Sequence, residues 1–468
     1  ARENRRLLAR VLPEPFRPVQ VRPLRPFFEL WQEGLHRLAP PGRGNPSVAL
    51  LSEGATHPYW FEHMLLAREL GAALVEPGDL TVRNGAVFLK TLRGLQPVDV
   101  LIRRLAGRLL DPLELDSGPL AGVPGLLDAV RAGSVRIVND PASAMLEAPG
   151  FAALLPGLAE RLLGEPLQLA NAAPGEPASV APWLVGEGLE PRPVVLRLYL
   201  VHDGEGWRAM PGGLARMLTA DAPEPAQALA GGALPGGGVA KDVWVLAEER
   251  ADVIGLAPAP APPLPLRRTA GELPSRVADD LFWLGRMVER IDRAARLVRA
   301  AVARVMRGGG TLPRELAELD CLLRCLVEAR VLLPEVAQAT ASQSALAAAL
   351  AGSVRERGAI GRAFAEIARL IESVRDRLAG DMYATFTATL RTAREETASA
   401  GRNLDALGHA LAAVQRFSAL VAGLAAENMV RGGGWLFLDL GRRIERAQAV
   451  TAEAAATLDQ PPPRIEIG

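Results

Sequence analysis

Between Ala257 and Leu266 the sequence is almost pure alanine and proline, and no other stretch limits the fold as strongly. Proline fixes φ and has no amide hydrogen to donate, so such a run enters neither a helix nor a sheet and favours an extended spacer. It predicts two folding units, 1–256 and 269–462, joined by a linker at 257–268. A chain of 468 residues is long enough for two or three full cores, and the patterns on the two sides of the break differ.

Before the break, helix and strand patterns alternate. Helices over 3–12 and near 27–38 precede a strand at 48–52, a helix at 59–70 and a strand at 73–76. That order predicts βαβ units and a parallel, doubly wound sheet. Residues 81–90 read as a small hairpin turning at Asn84-Gly85. The strands predicted at 98–102 and 135–138 end at Arg103-Arg104 and at Asn139, and helices at 142–146 and 151–163 complete the α/β domain. Ligands of open α/β sheets gather beyond the carboxyl ends of strands, which makes Arg103, Arg104 and Asn139 candidates for contact with an anion. The alternative for the arginines is an ion pair with Asp111 or Glu114.

Residues 169–190 are rich in Ala, Pro, Gly and Glu and read as a connection. The β-branched and aliphatic run 194–201, interrupted by Arg197 and Tyr199, meets Asp203-Gly204 and returns through 206–210, which predicts a tight hairpin. Pro211-Gly212-Gly213 follows, with Arg216 just beyond. After a loose segment, a glycine triplet leads into an apolar strand that begins with Lys241-Asp242. Paired glycines let a backbone approach a ligand closely, and a lysine beside a flexible loop suits a phosphate or carboxylate. A surface hairpin with ordinary turns is the competing reading. Among 53 basic residues only Lys90 and Lys241 are lysines. A lysine kept among arginines is either needed as a compact, titratable point charge or a chance survivor.

Beyond the break every pattern is helical: 279–307, 313–336, 341–353, 361–378, 382–398, 404–428 and 435–458, with apolar residues at spacings of three and four, predict a bundle. Two segments in it repeat. Gly285-Arg286-x-x-Glu289-Arg290 is echoed by Gly441-Arg442-x-x-Glu445-Arg446, 156 positions later. Positions i, i+3 and i+4 share a helix face, so Arg286, Glu289 and Arg290 form one charged patch and Arg442, Glu445 and Arg446 another, while each glycine lets a neighbouring helix come close. Packed together, the patches make either an interhelical ion-pair lattice or an anion site.

Composition excludes several classes. With 49% hydrophobic residues and zero formal net charge the chain is neither disordered nor a nucleic-acid binder by charge. No apolar run reaches the roughly 20 residues of a membrane span, and the start shows no signal-peptide core. The opening Ala1-Arg2-Glu3 reads as internal to a longer chain. Cys321 and Cys325, the only cysteines, stand four apart in a helical pattern, which suits buried thiols of a cytoplasmic protein better than a disulfide. The five histidines have no metal-site spacing, so no metal centre built on them is expected.

The run Tyr59-Trp60-Phe61-Glu62-His63-Met64-Leu65-Leu66-Ala67-Arg68, then Gly78-Asp79-Leu80-Thr81-Val82, 98–104, Asp111-Pro112-Leu113-Glu114-Leu115, 122–126, 210–214 and Lys241-Asp242-Val243-Trp244-Val245 resemble the circularly permuted ATP-grasp proteins of bacteria. Residues 275–296, with the echo at 441–446, are similar to the alpha-E helical domain often fused to them or encoded beside them. The resemblance implies an α/β domain with an ATP-grasp-like β-hairpin region followed by an all-α bundle. It also implies an enzyme that joins a carboxylate to an amine through an acyl phosphate made from ATP and Mg2+. A small molecule or peptide is the expected substrate, and transglutaminase-like proteins encoded nearby are expected partners. By resemblance, Arg197, Gly212, Gly213, Arg216, Lys241 and Asp242 lie at the nucleotide or acyl phosphate, and Arg103, Arg104 and Asn139 on the substrate side. Two departures matter. The acidic, Asn-rich motif that should precede Glu3-Asn4-Arg5 is absent, and 169–190 is far shorter than in the family. Both predict a truncated, internally shortened relative with an impaired nucleotide site: a ligase of reduced function or, alternatively, a non-catalytic binding or scaffold protein.

Overall fold

The computed structural model describes residues 2–11, 20–42, 44–118, 122–168, 180–185, 188–218, 238–247, 273–307, 313–339, 343–401 and 403–458. The predicted linker at 257–268 and most of the glycine triplet before Lys241 lie outside them. The chain divides into two compact units, residues 1–90 with 94–269, and residues 91–93 with 270–468.

In the first unit, helices α1 (Arg2–Val11) and α2 (Arg25–Leu38) precede a four-stranded parallel sheet ordered β2-β1-β6-β7, built from β1 (Val48–Leu51), β2 (Ala73–Val75), β6 (Val100–Arg103) and β7 (Arg136–Val138). Every residue of β1 is buried, as expected of a parallel strand covered on both faces. Val48 and Leu50 pack towards Trp60, Met64 and Leu70, while Ala49 and Leu51 join a second cluster with Leu101, Leu110 and Leu126. Helix α3 (Trp60–Leu70) stops at Gly71, which takes φ 64°. The small hairpin forms where expected, between β3 (Leu80–Arg83) and β4 (Ala86–Thr91), with positive φ at both Asn84 and Gly85. A third strand, β5 (Gly94–Pro97), which the sequence did not signal, extends it. Short helices α4 (Leu126–Arg131) and α5 (Leu155–Leu163) follow.

The remaining strands depart from expectation in two places. The run 194–201 is not one limb of a hairpin. Its first part ends β9 (Gly188–Arg197), and after Leu198-Tyr199 the chain starts β10 (Leu200–His202), which pairs with β11 (Trp207–Ala209) in a separate two-stranded sheet. The presumed connection 169–190 also carries β8 (Val180–Val185), disguised by Pro182 and by Pro191 and Pro193 opposite it. Strands β8 and β9, with β12 (Gly212–Leu218) and β13 (Gly238–Trp244), make an antiparallel sheet ordered β13-β12-β9-β8.

The second unit is helical among its described residues: α6 (Ser275–Met306), α7 (Pro313–Glu328), α8 (Pro334–Ala339), α9 (Gln343–Ser353), α10 (Ala359–Ser373), α11 (Gly380–Ser399), α12 (Leu404–Asn428) and α13 (Gly433–Leu458). The pattern read as one helix over 313–336 is two, broken where Arg330 takes φ 56° and Pro334 restarts the helix. One core runs through the bundle, centred on Leu281, Ile291, Phe364, Phe386, Leu411 and Phe417. Contrary to expectation, α12 is long and apolar enough to cross a membrane, with mean hydropathy 1.3. Its Leu407, Leu411, Val414, Phe417 and Val421 are buried in this core, which accounts for the composition.

Candidate functional site

Strands β1 and β6 are neighbours whose next partners lie on opposite sides, which puts the switch point of the parallel sheet between them. The chain leaves β1 at Ser52 and β6 at Arg103-Arg104, so these side chains collect where such sheets take ligands. The two arginines differ. Arg103 is spent on its own scaffold: its guanidinium donates to the carbonyls of Leu105 at 3.0 Å and Asn139 at 3.2 Å and to Ser143 Oγ at 3.0 Å. Neither meets Asp111 or Glu114. Asp111 is fully buried and caps the amides of Leu113, Gly125 and Leu127, and Glu114 pairs with Arg131.

Arg104 has no hydrogen-bond or ion-pair partner for its side chain among the described residues. The residue is exposed, and desolvation is the chief reason its pKa falls. The charges of Arg197 and Arg103 push the same way, and those of Glu62 and Tyr199 oppose them. Arg197, the last residue of β9, is likewise without a hydrogen bond or carboxylate among the described residues, its guanidinium lying 5.7 Å from the Tyr199 ring centre. A candidate from the substrate side and one from the nucleotide side thus act on each other through their charges. Burial raises the pKa of Tyr199 and of Tyr59, and the Tyr59 hydroxyl is buried without a hydrogen-bond partner among the described residues.

Behind this group sits a pair the sequence reading did not single out. His63 Nδ1 is 2.8 Å from Ser52 Oγ, which itself accepts the Gly54 amide. Desolvation first, then Arg104 and the stacked His57 ring at 5.1 Å, lower the His63 pKa to about 4. Ser52 is wholly buried and serves to fix the imidazole rather than to attack a substrate.

The other candidates on β12 and β13 are arranged differently from the sequence expectation. Ala215 pairs with Lys241 and Arg216 with Ala240, so alternation puts Arg216 and Lys241 on opposite faces of the sheet, and one phosphate is not gripped by both. Lys241 instead lies 4.8 Å from the Trp183 ring centre, a cation–π contact with a tryptophan that the sequence reading had put in a connection. Arg216 is buried. Asp242 accepts from Arg5 Nε at 2.8 Å and from Trp244 Nε1 at 2.9 Å. The glycine pair serves this packing: a Cβ on Gly212 would stand 2.6 Å from Arg5 Nη2, and one on Gly213 2.7 Å from the Arg197 carbonyl. Arg5 was missed because nothing local to 3–5 shows that it ties α1 to β13, donating also to the Val243 and Arg22 carbonyls.

In the helical unit the two repeats face each other. Helices α6 and α13 cross at their glycines: a Cβ on Gly285 would lie 2.1 Å from the Leu438 carbonyl oxygen, and one on Gly441 2.0 Å from that of Phe282. Around this contact the charges interlock. Glu445 accepts from Arg286 Nε at 2.6 Å and Arg290 Nε at 2.7 Å, and Glu289 accepts from Arg446 Nε at 2.6 Å with Arg442 at 3.7 Å. Desolvation pushes the Glu445 pKa up, but the hydrogen bonds from Arg290 and Arg286 and their charges together outweigh it and hold the carboxyl below its ordinary range. The arrangement is the ion-pair lattice rather than an open anion site.

Residues 1–175 match the family model described as circularly permuted ATP-grasp type 2, and residues 273–466 match Alpha-E, described as a predicted alpha-helical domain with a conserved ER motif. The chain thus carries a region similar to circularly permuted ATP-grasp type 2, followed by one similar to Alpha-E. Glu289-Arg290 and Glu445-Arg446, the two halves of the clamp, are both Glu-Arg steps. The chain is 29% identical to an uncharacterized protein of Mycobacterium tuberculosis, with 98% of this chain and 59% of that protein covered. That alignment runs over 543 positions, more than the 468 residues of this chain, so the relative carries residues inside the match that this chain lacks. Uncharacterized proteins of Synechocystis and Mycobacterium leprae are each 29% identical over 52% of this chain, covering 62% and 54% of their own lengths. The chain therefore spans less than two thirds of these relatives.

Proposed function

We propose that the first unit holds the carboxylate of an acid substrate, or the phosphate attached to it, between Arg104 and Arg197, in the manner of an ATP-dependent carboxylate–amine ligase whose nucleotide site is weakened. The observation that carries this reading is that Arg104, which follows β6 at the switch point, and Arg197, whose charge acts on it, have no bonded carboxylate among the described residues in a chain with as many acids as bases. Each presents a planar fork of donors that matches two oxygens of a carboxylate or phosphate, and an anion between them removes their mutual repulsion. The Tyr59 hydroxyl adds a third donor. His63, held neutral, orders the floor without adding charge.

The donor set suits the phosphates of ATP, which would supply the phosphoryl group that makes a carboxylate reactive. Among the described residues no three His, Cys, Asp or Glu side chains come together. Lys241 on Trp183 and Asp242 on Arg5 support the weakened nucleotide site, and with it the alternative of a binding or scaffold protein without catalysis. A small molecule or peptide as substrate, transglutaminase-like partners and a cytoplasmic location belong to the same proposal.

Calorimetric titration of the purified chain with inorganic phosphate, with succinate and with Mg-ATP tests it. The wild type should bind the two anions, and Arg104→Met should weaken that binding by about 1.5 to 3 kcal/mol, the range for a hydrogen bond to a charged group. Equal anion binding by wild type and variant would remove the site. Tight Mg-ATP binding that is lost in Lys241→Met would overturn the weakened nucleotide site and restore a full ligase.

A further inference from the structure

Helix α13 packs with α6 and α7, and the side it turns away from them is not a polar surface. Leu436, Leu440, Arg443, Ala447, Val450 and Ala454 follow one another at steps of four, three, four, three and four residues, which at about 100° per residue keeps them within about 80° of arc. This is the heptad seam of a helix that pairs with another helix. It stands open: Leu436 is 55%, Leu440 46% and Val450 60% exposed, and Ala447 is exposed as well. The internal repeat supplies the comparison. Shifted back by 156 positions, Leu440, Arg443, Ala447, Val450 and Ala454 become Leu284, Met287, Ile291, Ala294 and Val298 of α6, which are buried in the core that α6 shares with α10 and α12. One copy of the repeat has a second helical layer over its seam, and the other has none among the described residues.

We propose that this seam is the contact through which two copies of the chain pair, α13 against α13 in antiparallel. The spacing calls for a helix, and the charges select which one. Arg443 is the single polar member of the seam, its guanidinium largely exposed and donating to Asp439, one turn back, at 2.6 Å. In an isologous antiparallel pair whose two-fold axis passes between Leu440 and Arg443, Leu440 of each copy packs on the aliphatic stem of the other copy's Arg443, and Leu436 on the other copy's Ala447. The same register brings each Arg443 level with Asp439 of the opposite copy, so two acids and two bases close into one network that a single chain leaves half made. A lipid surface or an apolar helix without such an acid would cover Arg443 and give it nothing. A lone polar position inside an apolar seam also fixes the register of the pair. This proposal is independent of the anion site, since it uses only the helical unit.

Sedimentation equilibrium of the full chain tests it. The apparent mass should rise with concentration from 49.7 kDa towards twice that value. Leu440→Asp, at a position half exposed in the single chain, should raise the dissociation constant about a hundredfold, since each dimer loses two buried leucines worth about tenfold apiece. Helical circular dichroism confirms that this variant is folded. Asp439→Arg and Arg443→Asp each place like charges across the axis and should each weaken self-association. A mixture of those two variants should instead form a heterodimer tighter than either alone, because every cross-pair in it is of opposite sign. A wild type that stays monomeric up to about 100 μM, a dimer that Leu440→Asp leaves unchanged, or a mixture that associates no better than its components would each overturn the proposal.

Discussion

At the helix crossing four arginines surround two glutamates, and Glu445 alone takes hydrogen bonds from two guanidiniums; at the sheet edge no carboxylate bonds the guanidinium of Arg104 or Arg197 among the described residues, and Glu62 acts on Arg104 only through its charge. Acids are not scarce, since the chain holds 53 acidic and 53 basic residues. Where arginine serves architecture its donors are met by protein oxygens, as they are for Arg5, Arg103 and Arg286. Where it is left beside another arginine, with its pKa pulled down, the unmet donors are available to something from outside. Pairing, rather than the mere presence of arginine, separates the two regions.

The largest effect expected on this contrast is geometric. Gly441→Ala brings a Cβ to within 2.0 Å of a backbone oxygen on α6, which no side-chain rotation relieves. The helices must part, and the clamp with them, for a loss of about 3 kcal/mol, at the upper end of overpacking costs. Urea denaturation followed by helical circular dichroism measures it, and a loss below about 1 kcal/mol would show that the close crossing is not needed. Removing charge alone should cost less. Glu445→Gln keeps the shape but leaves Arg286 and Arg290 without their shared carboxylate. Because Arg290 retains solvent contact, the loss should be about 2 kcal/mol, short of the 3 to 5 kcal/mol of a fully buried pair. If it matches that of an exposed pair, under 1 kcal/mol, the clamp is no more than surface charge.

How much of this could be read from the chain depends on the range of the contacts. The helical unit was largely legible because a helix announces its faces every three or four residues, and the repeat of Gly-Arg-x-x-Glu-Arg named both sides of the crossing in advance. The parallel sheet was legible for the same local reason, down to the turn at Asn84-Gly85. The antiparallel sheet was not. Prolines at 182, 191 and 193 mask β8 and β9, and a strand's partner is set by pairing across long separations. The split of 194–201 followed from that, and so did the error over Lys241 and Arg216, since only the register reveals that they face opposite ways. Arg103 and Arg104 were both flagged by position, but which of them was committed to its scaffold depended on the loop carbonyls of Leu105 and Asn139.

The smallest expected effect has the opposite sign and bears most directly on the comparison. In the helical unit, removing a charge unpairs its partners and destabilises; at the sheet edge, Arg104→Met removes a charge that no carboxylate hydrogen-bonds among the described residues, and relieves its repulsion with Arg197 and Arg103 against the loss of its attraction to Glu62. The arginine's solvent contact keeps the gain small, about 0.5 kcal/mol, and screening should shrink it further as salt rises from low ionic strength to about 1 M, where the Debye length falls to about 3 Å. Thermal unfolding at low salt should thus show Arg104→Met slightly more stable than wild type, and saturating phosphate should reverse the order, because only the wild type gains from binding. A variant less stable than wild type at every salt and phosphate concentration would mean that Arg104 is held by contacts as Arg103 is, and the distinction between paired and unpaired arginines would then not extend to the sheet edge.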